Sequence, residues 1–349
     1  MSHDKPLCVY ALYLKVFNVL VIENLNFWIT DFKGEIAALG AAILWAISSI
    51  IYSRLGQRIP PLKLNLFKGA IAITLLVLTL FLRNDFLPSI APVPLCLLLL
   101  SGVVGIGIGD TAFFAALNCL GPRRALLMET LAPPMTAIGA LIFLQEQLSV
   151  GAWCGLLLTI LGVAWVVTER IPNSSTHSVN LARGISFGLL AALAMATGGI
   201  LSRAVLANTT ISPLWAALLR LIAAVLVLLP SIWLKAKRQE AIPPAPLPKG
   251  GGKRQEAIKL EKYSRIKIYR LFPLITAIFC AAFAGTYLGI WLQQTAIKFT
   301  AAGIALTLTN TSPLFVLPLA IYLGEKVSFR AIAGAVIAIS GIAVLFYLR

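Results

Sequence analysis

Apolar segments separated by short polar breaks recur along the chain from residue 34 onward. Each is about 18–22 residues long, enough for an α-helix to cross the hydrocarbon core of a bilayer. Backbone polar groups cannot stay unpaired in lipid, so each segment is expected to be helical. The pattern predicts an all-α integral membrane protein with ten transmembrane helices. The predicted spans are 34–53, 63–82, 94–117, 124–144, 150–168, 183–202, 212–234, 271–292, 301–323 and 329–348.

Three stretches lie outside these spans. Residues 1–33 are apolar but are interrupted by lysine, glutamate and asparagine side chains. This favours an amphipathic segment at the membrane surface, with an extra span over 7–30 as the alternative. Residues 170–182 form a polar linker, and 235–270 are rich in proline, glycine and charge, which predicts a disordered basic loop.

The second half of the chain repeats the first. Residues 121–146 (GPRRALLMETLAPPMTAIGALIFLQE) align without a gap with residues 300–325 (TAAGIALTLTNTSPLFVLPLAIYLGE) at an offset of 179 residues. Pro134 thereby falls on Pro313, and the sequence of spans 1 and 2 aligns with that of spans 6 and 7. The chain is therefore interpreted as a duplicated membrane unit.

The predicted repeats are residues 34–169 and 183–348, with five spans in each. Because five is an odd number, the two copies must enter the membrane from opposite sides. They are then inverted repeats related by a pseudo-two-fold axis in the membrane plane. This plan is typical of secondary transporters, which bind substrate between the halves near the midplane.

Composition supports the membrane class and argues against a nucleic-acid partner. The chain is 59% hydrophobic and 12% charged, whereas about a quarter of the residues are charged in soluble domains. Its net charge is +16, but eleven Lys/Arg and three Glu lie between Lys235 and Arg270. A solvated loop beside anionic lipid headgroups accounts for this excess. The cysteines show no pair spacing and the two histidines are far apart, so we expect no metal and no cofactor.

Both halves resemble the EamA-type repeats of the drug/metabolite transporter superfamily over residues 34–168 and 183–347. The similarity is carried by GDTAFFAALNCLGPRRALLMETLAPPMTAIGALIFLQE and by QTAIKFTAAGIALTLTNTSPLFVLPLAIYLGE. In each, a proline is followed by a glutamate and then by a glycine-rich last helix, although Gln145 replaces the glycine usual in the family. The resemblance implies a ten-helix carrier of small metabolites driven by a gradient. The absence of a P-loop motif agrees with this.

Four charged residues fall inside predicted spans: Lys68, Asp110, Glu129 and Arg220. Such charges are costly in a membrane and are functional candidates by default. Lys68, Asp110 and Glu129 are predicted at one depth, about 10 Å or more below the same surface. Asp110 or Glu129 is the candidate carrier of a coupled proton, and Arg220 or Lys68 the candidate contact for an anionic substrate group. The alternatives are a structural ion pair and cations that reach the headgroups.

Proline and polar residues coincide in spans 4 and 9. Proline frees a carbonyl in the preceding turn and can kink a helix, so Pro133, Pro134 and Pro313 are hinge candidates. Hydrogen bonds between helices and anchoring of rings at the membrane interface are the alternative roles of the polar residues nearby. The candidates for lining the substrate path are Thr130, Tyr287, Gln293, Thr309 and Asn310.

Two further features predict structural contacts. Glu146 and Glu325 each precede a helix and are expected to interact with the positive end of that helix dipole rather than with substrate. The spacings Gly105-xxx-Gly109 and Gly285-xxx-Gly289 allow close helix approach, which in the family lies at the interface of the halves.

Together these features predict a non-enzymatic secondary carrier for small metabolites, such as amino acids or related amphiphiles. We expect export across the plasma membrane of a bacterial-type cell by alternating access. An organophosphate or nucleotide-sugar exchanger is the alternative carrier, and it would need more cations at the midplane than Lys68 and Arg220. An embedded enzyme would need a reactive cluster, and the spans contain no histidine. A scaffold would not need buried charges. The orientation of the termini stays open, because the basic loop opposes the family's usual orientation.

Overall fold

The computed structural model describes residues 30–56, 59–85, 88–120, 122–168, 181–240, 274–322 and 329–348. Every regular element within these ranges is helical. Helices α4 and α9 each consist of two segments. The helices are α1 (Lys33–Gly56), α2 (Pro61–Leu82), α3 (Pro92–Leu120), α4 (Pro122–Glu129 and Ala132–Phe143), α5 (Val150–Thr168), α6 (Leu181–Leu206), α7 (Pro213–Glu240), α8 (Leu274–Phe299), α9 (Ala302–Thr309 and Ser312–Tyr322) and α10 (Phe329–Tyr347).

Eight of the helices in the described ranges are long and apolar enough to cross a membrane. These are α1, α2, α3, α4, α6, α7, α8 and α10. The apolar stretches of the other two are shorter, Val150–Val166 in α5 and Ala302–Val316 in α9. The all-α class is confirmed, and each predicted span overlaps one of the helices. The arrangement of ten transmembrane helices as two inverted repeats stays a prediction.

The helix bounds differ from the predicted ones mainly around the basic loop. Helix α7 continues past the predicted end at residue 234 to Glu240. The first residues of the predicted loop, KAKRQE, are therefore helical, because alanine, lysine, arginine and glutamine are good helix formers. The amphipathic segment predicted for residues 1–33 lies outside the described residues up to residue 29. Most of the 170–182 linker and the rest of the loop also lie outside them.

A π-helical segment occurs at the same place in each half. Helix α3 contains Val103–Asp110 and helix α8 contains Ala282–Leu288. Their first residues are 179 residues apart, which is the offset of the sequence repeat. Such segments leave the normal helical hydrogen-bond register and are frequent at functional sites. Asp110 is the last residue of the first one.

The predicted proline kinks are present as breaks. Helix α4 is interrupted after Glu129 and α9 after Thr309. Pro133 and Pro134 lie in the first turn of the second segment of α4, and Pro313 lies in the first turn of the second segment of α9. Proline has no backbone N–H, so it fits the start of a helix but cannot extend the preceding one.

Glycine allows α5 and α10 to pack with their backbones in contact. A Cβ on Gly162 would lie 2.3 Å from the Ala338 nitrogen, and one on Gly341 would lie 2.5 Å from the Thr159 nitrogen. Side chains at these glycines would separate the helices. The glycine-rich last span of each predicted repeat therefore packs against its equivalent in the other.

The predicted close contacts through α3 and α8 are also present. A Cβ on Gly105 would lie 3.4 Å from the Gly198 Cα in α6. A Cβ on Gly285 would lie 2.4 Å from the Ser48 Oγ in α1. Each contact joins a helix of the first sequence repeat to a helix of the second. The prediction of close approach between the halves is confirmed.

Candidate functional site

Helices α2 and α3 bring two of the predicted charges into direct contact. Lys68 is buried and its Nζ forms an ion pair with Asp110 Oδ2. The ammonium group also lies 5.1 Å from the centroid of the Phe114 ring and 5.9 Å from that of Tyr52. The Asp110 side chain keeps 25% exposure. The predicted proximity of Lys68 and Asp110 is confirmed.

Glu129 lies within electrostatic range of this pair. It is the last residue of the first segment of α4, is half-buried, and interacts electrostatically with Asp110 and Lys68. We call Lys68, Asp110 and Glu129 the charged cluster. The structure thus pairs two of the charges directly and places the third, on another helix, within electrostatic range of them.

An asparagine that the sequence analysis missed supports the cluster. Asn65 lies one turn before Lys68 and is buried. Its side-chain nitrogen donates to the Ile106 carbonyl at 3.0 Å and to Thr111 Oγ1 at 3.1 Å. These bonds hold α2 against the π segment that ends at Asp110. The signal available in the sequence for Asn65 was an amide side chain close to a charged one in an otherwise apolar span.

Arg220 lies on α7 and is 4% exposed. Its guanidinium lies against α3, because a Cβ on Gly105 would be 3.0 Å from Nη2. Asp110 is within electrostatic reach of the guanidinium. Arg220 therefore lies close to the charged cluster but is not part of its ion pair.

Tyr287 and Gln293 are buried on α8. The Tyr287 hydroxyl lies 2.7 Å from Thr79 Oγ1 on α2, and its ring packs between those of Phe283 and Trp291. Tyr287 thus joins α2 to α8. Contact of Tyr287 or Gln293 with substrate stays a prediction.

The polar residues at the helix breaks bond to their own helices. Thr130 Oγ1 donates to the Leu127 carbonyl at 2.7 Å. In α9, Thr309 Oγ1 and Asn310 Nδ2 donate to the Leu306 carbonyl at 3.1 and 3.0 Å. The Leu127 and Leu306 carbonyls also accept the backbone N–H groups of Thr130 and Asn310, so the side chains add further donors to carbonyls that are already bonded. Their predicted role in lining a substrate path is a separate property that these bonds do not test.

A second charged assembly closes one end of the bundle. Glu146 follows α4, and its Oε1 accepts a bond from Arg203 Nε on α6. Its Oε2 accepts from the Ala302 N–H at the start of α9 at 3.0 Å. Arg203 Nη1 also donates to the carbonyls of Ile297 and Lys298, at the end of α8, at 2.7 and 2.8 Å. The two side chains therefore join elements of both sequence repeats.

This assembly corrects the expectation for Glu146. The glutamate was predicted to interact with the helix that follows it, α5, but it caps α9 instead. The positive end of the α9 dipole is close in space although it is distant in sequence. Arg203 was missed because the predicted span 6 ended at residue 202. Glu325 lies outside the described residues.

Further bonds lie at the same end, which we call the tied end. Lys298 Nζ donates to the Ile211 carbonyl at 2.6 Å. Trp215 Nε1, at the start of α7, donates to Asp85 Oδ1 at 3.2 Å, just after α2. Gly34 at the start of α1 packs directly against Thr300. Helix ends that are far apart in sequence are therefore fastened together here.

A family model and a relative in sequence both point to a transporter. A family model described as the EamA-like transporter family matches residues 32–168 and 182–347. An uncharacterized transporter, YvbV of Bacillus subtilis (strain 168), is 26% identical over 138 residues, 39% of this chain and 45% of that protein. The match thus spans less than half the length of that relative.

A crystal structure of another protein shares the fold. It superimposes with a TM-score of 0.65 at 15% sequence identity, covering 90% of this chain and 97% of that one. An identity this low shows the fold alone. The family model covers almost all of the described residues, including the charged cluster, Arg220 and the tied end. The chain therefore belongs to the EamA-like transporter family and is a multi-pass membrane protein.

Proposed function

We propose that the protein is a secondary active carrier that exports small metabolites, amino acids or related amphiphiles, across the plasma membrane. It works by alternating access between two inverted five-helix repeats, and a proton bound at Glu129 or Asp110 is coupled to transport. The observation that carries the proposal is the charged cluster. Three charges from three helices lie within electrostatic range of one another inside the spans. Charges at such positions are costly and are therefore functional candidates by default.

The arrangement around the cluster supports a moving proton. Lys68 already occupies one oxygen of Asp110, so Asp110 is held in place. Glu129 interacts with both groups through space and ends the segment of α4 that precedes a helix break. A carboxyl group at a break can change its surroundings when the two segments move. Glu129 is therefore the favoured proton carrier.

The contrast between the two ends of the bundle supports alternating access. The tied end is fastened by the Glu146–Arg203 pair and the bonds around it. The Asp110 side chain, toward the other end, keeps 25% exposure. This is the pattern expected of a carrier closed on one side. Breaks in α4 and α9 and π segments in α3 and α8 supply places where helices can bend.

The test is efflux from cells loaded with a panel of labelled amino acids and related metabolites. Cells with the protein are compared with cells that carry Glu129→Gln, in the presence and absence of a proton-gradient uncoupler. Asp31→Asn serves as a matched control, because it also removes an acid but lies at an exposed position before α1, outside the charged cluster. Membrane abundance of each variant is measured in parallel.

The expected result is accelerated efflux of one class of compound that is lost in Glu129→Gln and on uncoupling but kept in Asp31→Asn. Efflux that persists in Glu129→Gln, at equal abundance, would refute the coupling role and leave the carrier. If no compound moves in cells that contain the protein in the membrane, the proposed carrier function for this panel is wrong.

A further inference from the structure

Arg220 differs from the other buried cations in what surrounds its side chain. It lies seven residues after the start of α7 at Pro213, which places it about 10 Å inside the helix. A Cβ on Gly102 would be only 2.1 Å from the Arg220 carbonyl oxygen, and Gly105 lies beside Nη2. Gly198 of α6 packs on the same stretch of α3. The guanidinium therefore lies where helices of both sequence repeats meet.

Two nitrogens of this guanidinium have no hydrogen-bond acceptor in the part of the chain that the structure describes. Arg220 Nε and Nη1 are buried, and neither has a hydrogen-bond acceptor among the described residues. Arg203, in contrast, donates to Glu146 and to two backbone carbonyls. A buried charge without a bonded partner is strongly unfavourable. An acceptor from outside the protein would remove that penalty.

The sequence repeat explains why the acceptor is missing. Lys68 and Arg220 occupy equivalent positions in spans 2 and 7. Lys68 bonds to Asp110, but the repeat equivalent of Asp110 is Gly289, which has no side chain. Asp110 interacts electrostatically with Arg220, but one of its carboxylate oxygens is already paired with Lys68. The second half of the chain thus keeps the cation and lacks the acid.

A second unused donor lies at a comparable depth. Gln294 on α8 is fully buried; its Oε1 accepts from Ser202, while Nε2 has no acceptor in the described part of the chain. It lies five residues before the end of α8 at Phe299, about 8 Å from the tied end. The region between the tied end and the charged cluster therefore contains two side chains, Arg220 and Gln294, with donors that have no acceptor among the described residues, which suits an anionic ligand.

We propose that Arg220 is the anion-binding subsite of the substrate path and that the substrate carries a carboxylate or a comparable oxyanion. The inference rests on the proposed carrier function and names its substrate class. A guanidinium presents parallel donors that match the two oxygens of a carboxylate or phosphate. Nε and Nη1 are the two nitrogens that have no acceptor in the described part of the chain.

The first test measures binding without transport. The thermal unfolding temperature of purified protein is recorded with acetate, with inorganic phosphate and with acetamide, the neutral analogue of acetate, at constant ionic strength. The variants are Arg220→Gln, Arg220→Lys and Arg183→Gln, which makes the same change at an exposed arginine on α6. Binding to the folded state raises the unfolding temperature, and the rise grows with the logarithm of the ligand concentration once that exceeds the Kd.

We expect acetate or phosphate, but not acetamide, to stabilise the wild type and Arg183→Gln. Arg220→Gln should weaken binding of the anion by about ten- to a hundredfold, which corresponds to the loss of one charge-assisted hydrogen bond. Arg220→Lys should weaken it less. If acetate stabilises at the lower concentration, the subsite prefers a carboxylate. If phosphate does, the subsite prefers a phosphate. Stabilisation that is absent in the wild type, or equal in Arg220→Gln, overturns the proposal.

The second test uses the efflux assay with an amino acid and its decarboxylated amine. Loss of amino-acid efflux in Arg220→Gln but not in Arg183→Gln supports the subsite. Equal efflux of acid and amine through both variants overturns it and leaves the carrier intact. If nothing moves although acetate or phosphate stabilises the wild type and not Arg220→Gln, the anion site stands and the carrier proposal fails.

Discussion

The Glu146→Gln variant should release the tied end of the bundle. The Glu146 carboxylate accepts one bond from Arg203 and one from the Ala302 N–H. Both side chains are largely buried, at 17% and 15% exposure, so solvent screens the pair only weakly. The neutral amide keeps one acceptor oxygen and therefore loses about one charge-assisted bond.

Such a bond contributes about 1.5–3 kcal/mol, so its loss should raise the equilibrium constant for opening this end by about ten- to a hundredfold. The change should be visible as increased access to a site that the tied end covers. Thr300 is suitable because it is 6% exposed and packs against Gly34. In a variant without native cysteines, Thr300→Cys reports opening through its rate of reaction with a thiol reagent.

The labelling rate of Thr300→Cys should rise at least about tenfold when Glu146→Gln is added, since the rate follows the open population. Gln147→Ala, a change at the exposed neighbouring residue, should leave the rate as it was. Equal rates with and without Glu146→Gln would show that the pair does not hold this end closed. A lower unfolding temperature with unchanged labelling would assign the pair to stability alone.

Two further predictions concern stability in detergent. Lys68→Met should destabilise the fold by up to about 3 kcal/mol, because it leaves Asp110 partly buried without its cation. Adding Asp110→Asn should restore most of the lost stability. Additive losses of the two variants in thermal unfolding would argue against a coupled pair. Gly162→Leu should lower the unfolding temperature by forcing α5 from α10, at a cost of about 1–3 kcal/mol or more. Gly56→Ala, which meets no atom within 4 Å, is its control, and equal unfolding temperatures would refute the packing argument.

The sequence predicts the helices and the charged cluster because both depend on local or repeated signals. Span length follows from membrane thickness, and the depth of Lys68, Asp110 and Glu129 follows from counting residues along helices that must cross. Their ion pair needed one further fact, that α2 and α3 adjoin, which no residue count supplies. The structure provides it through Asn65, which bonds to the π segment.

The tied end could not be predicted in the same way. Glu146 bonds to Arg203 and Ala302, which are far away in sequence. The helix dipole suggested a capping role for the glutamate. The next helix in sequence is α5, and the sequence does not show that the start of α9 lies closer in space. The roles of Thr130 and Thr309 were likewise open, because a hydroxyl beside a helix break can face a cavity or its own carbonyls. The structure shows that both hydroxyls bond to carbonyls of their own helices, and their role in lining a substrate path stays a prediction.

The two equivalent cations connect these findings. Lys68 is neutralised within the protein by Asp110, whereas Arg220 lies nearer the tied end with unused donors. A ligand that satisfies Arg220 would stabilise the conformation in which α3, α6 and α7 meet around it. Opening the tied end, on the other hand, requires the Glu146–Arg203 pair to break. A ligand can shift such an equilibrium only by its difference in affinity for the two states. The occupancy of Arg220 and the integrity of the tied end should therefore be coupled, and the labelling rate of Thr300→Cys in Glu146→Gln should respond to acetate or phosphate only while Arg220 is present.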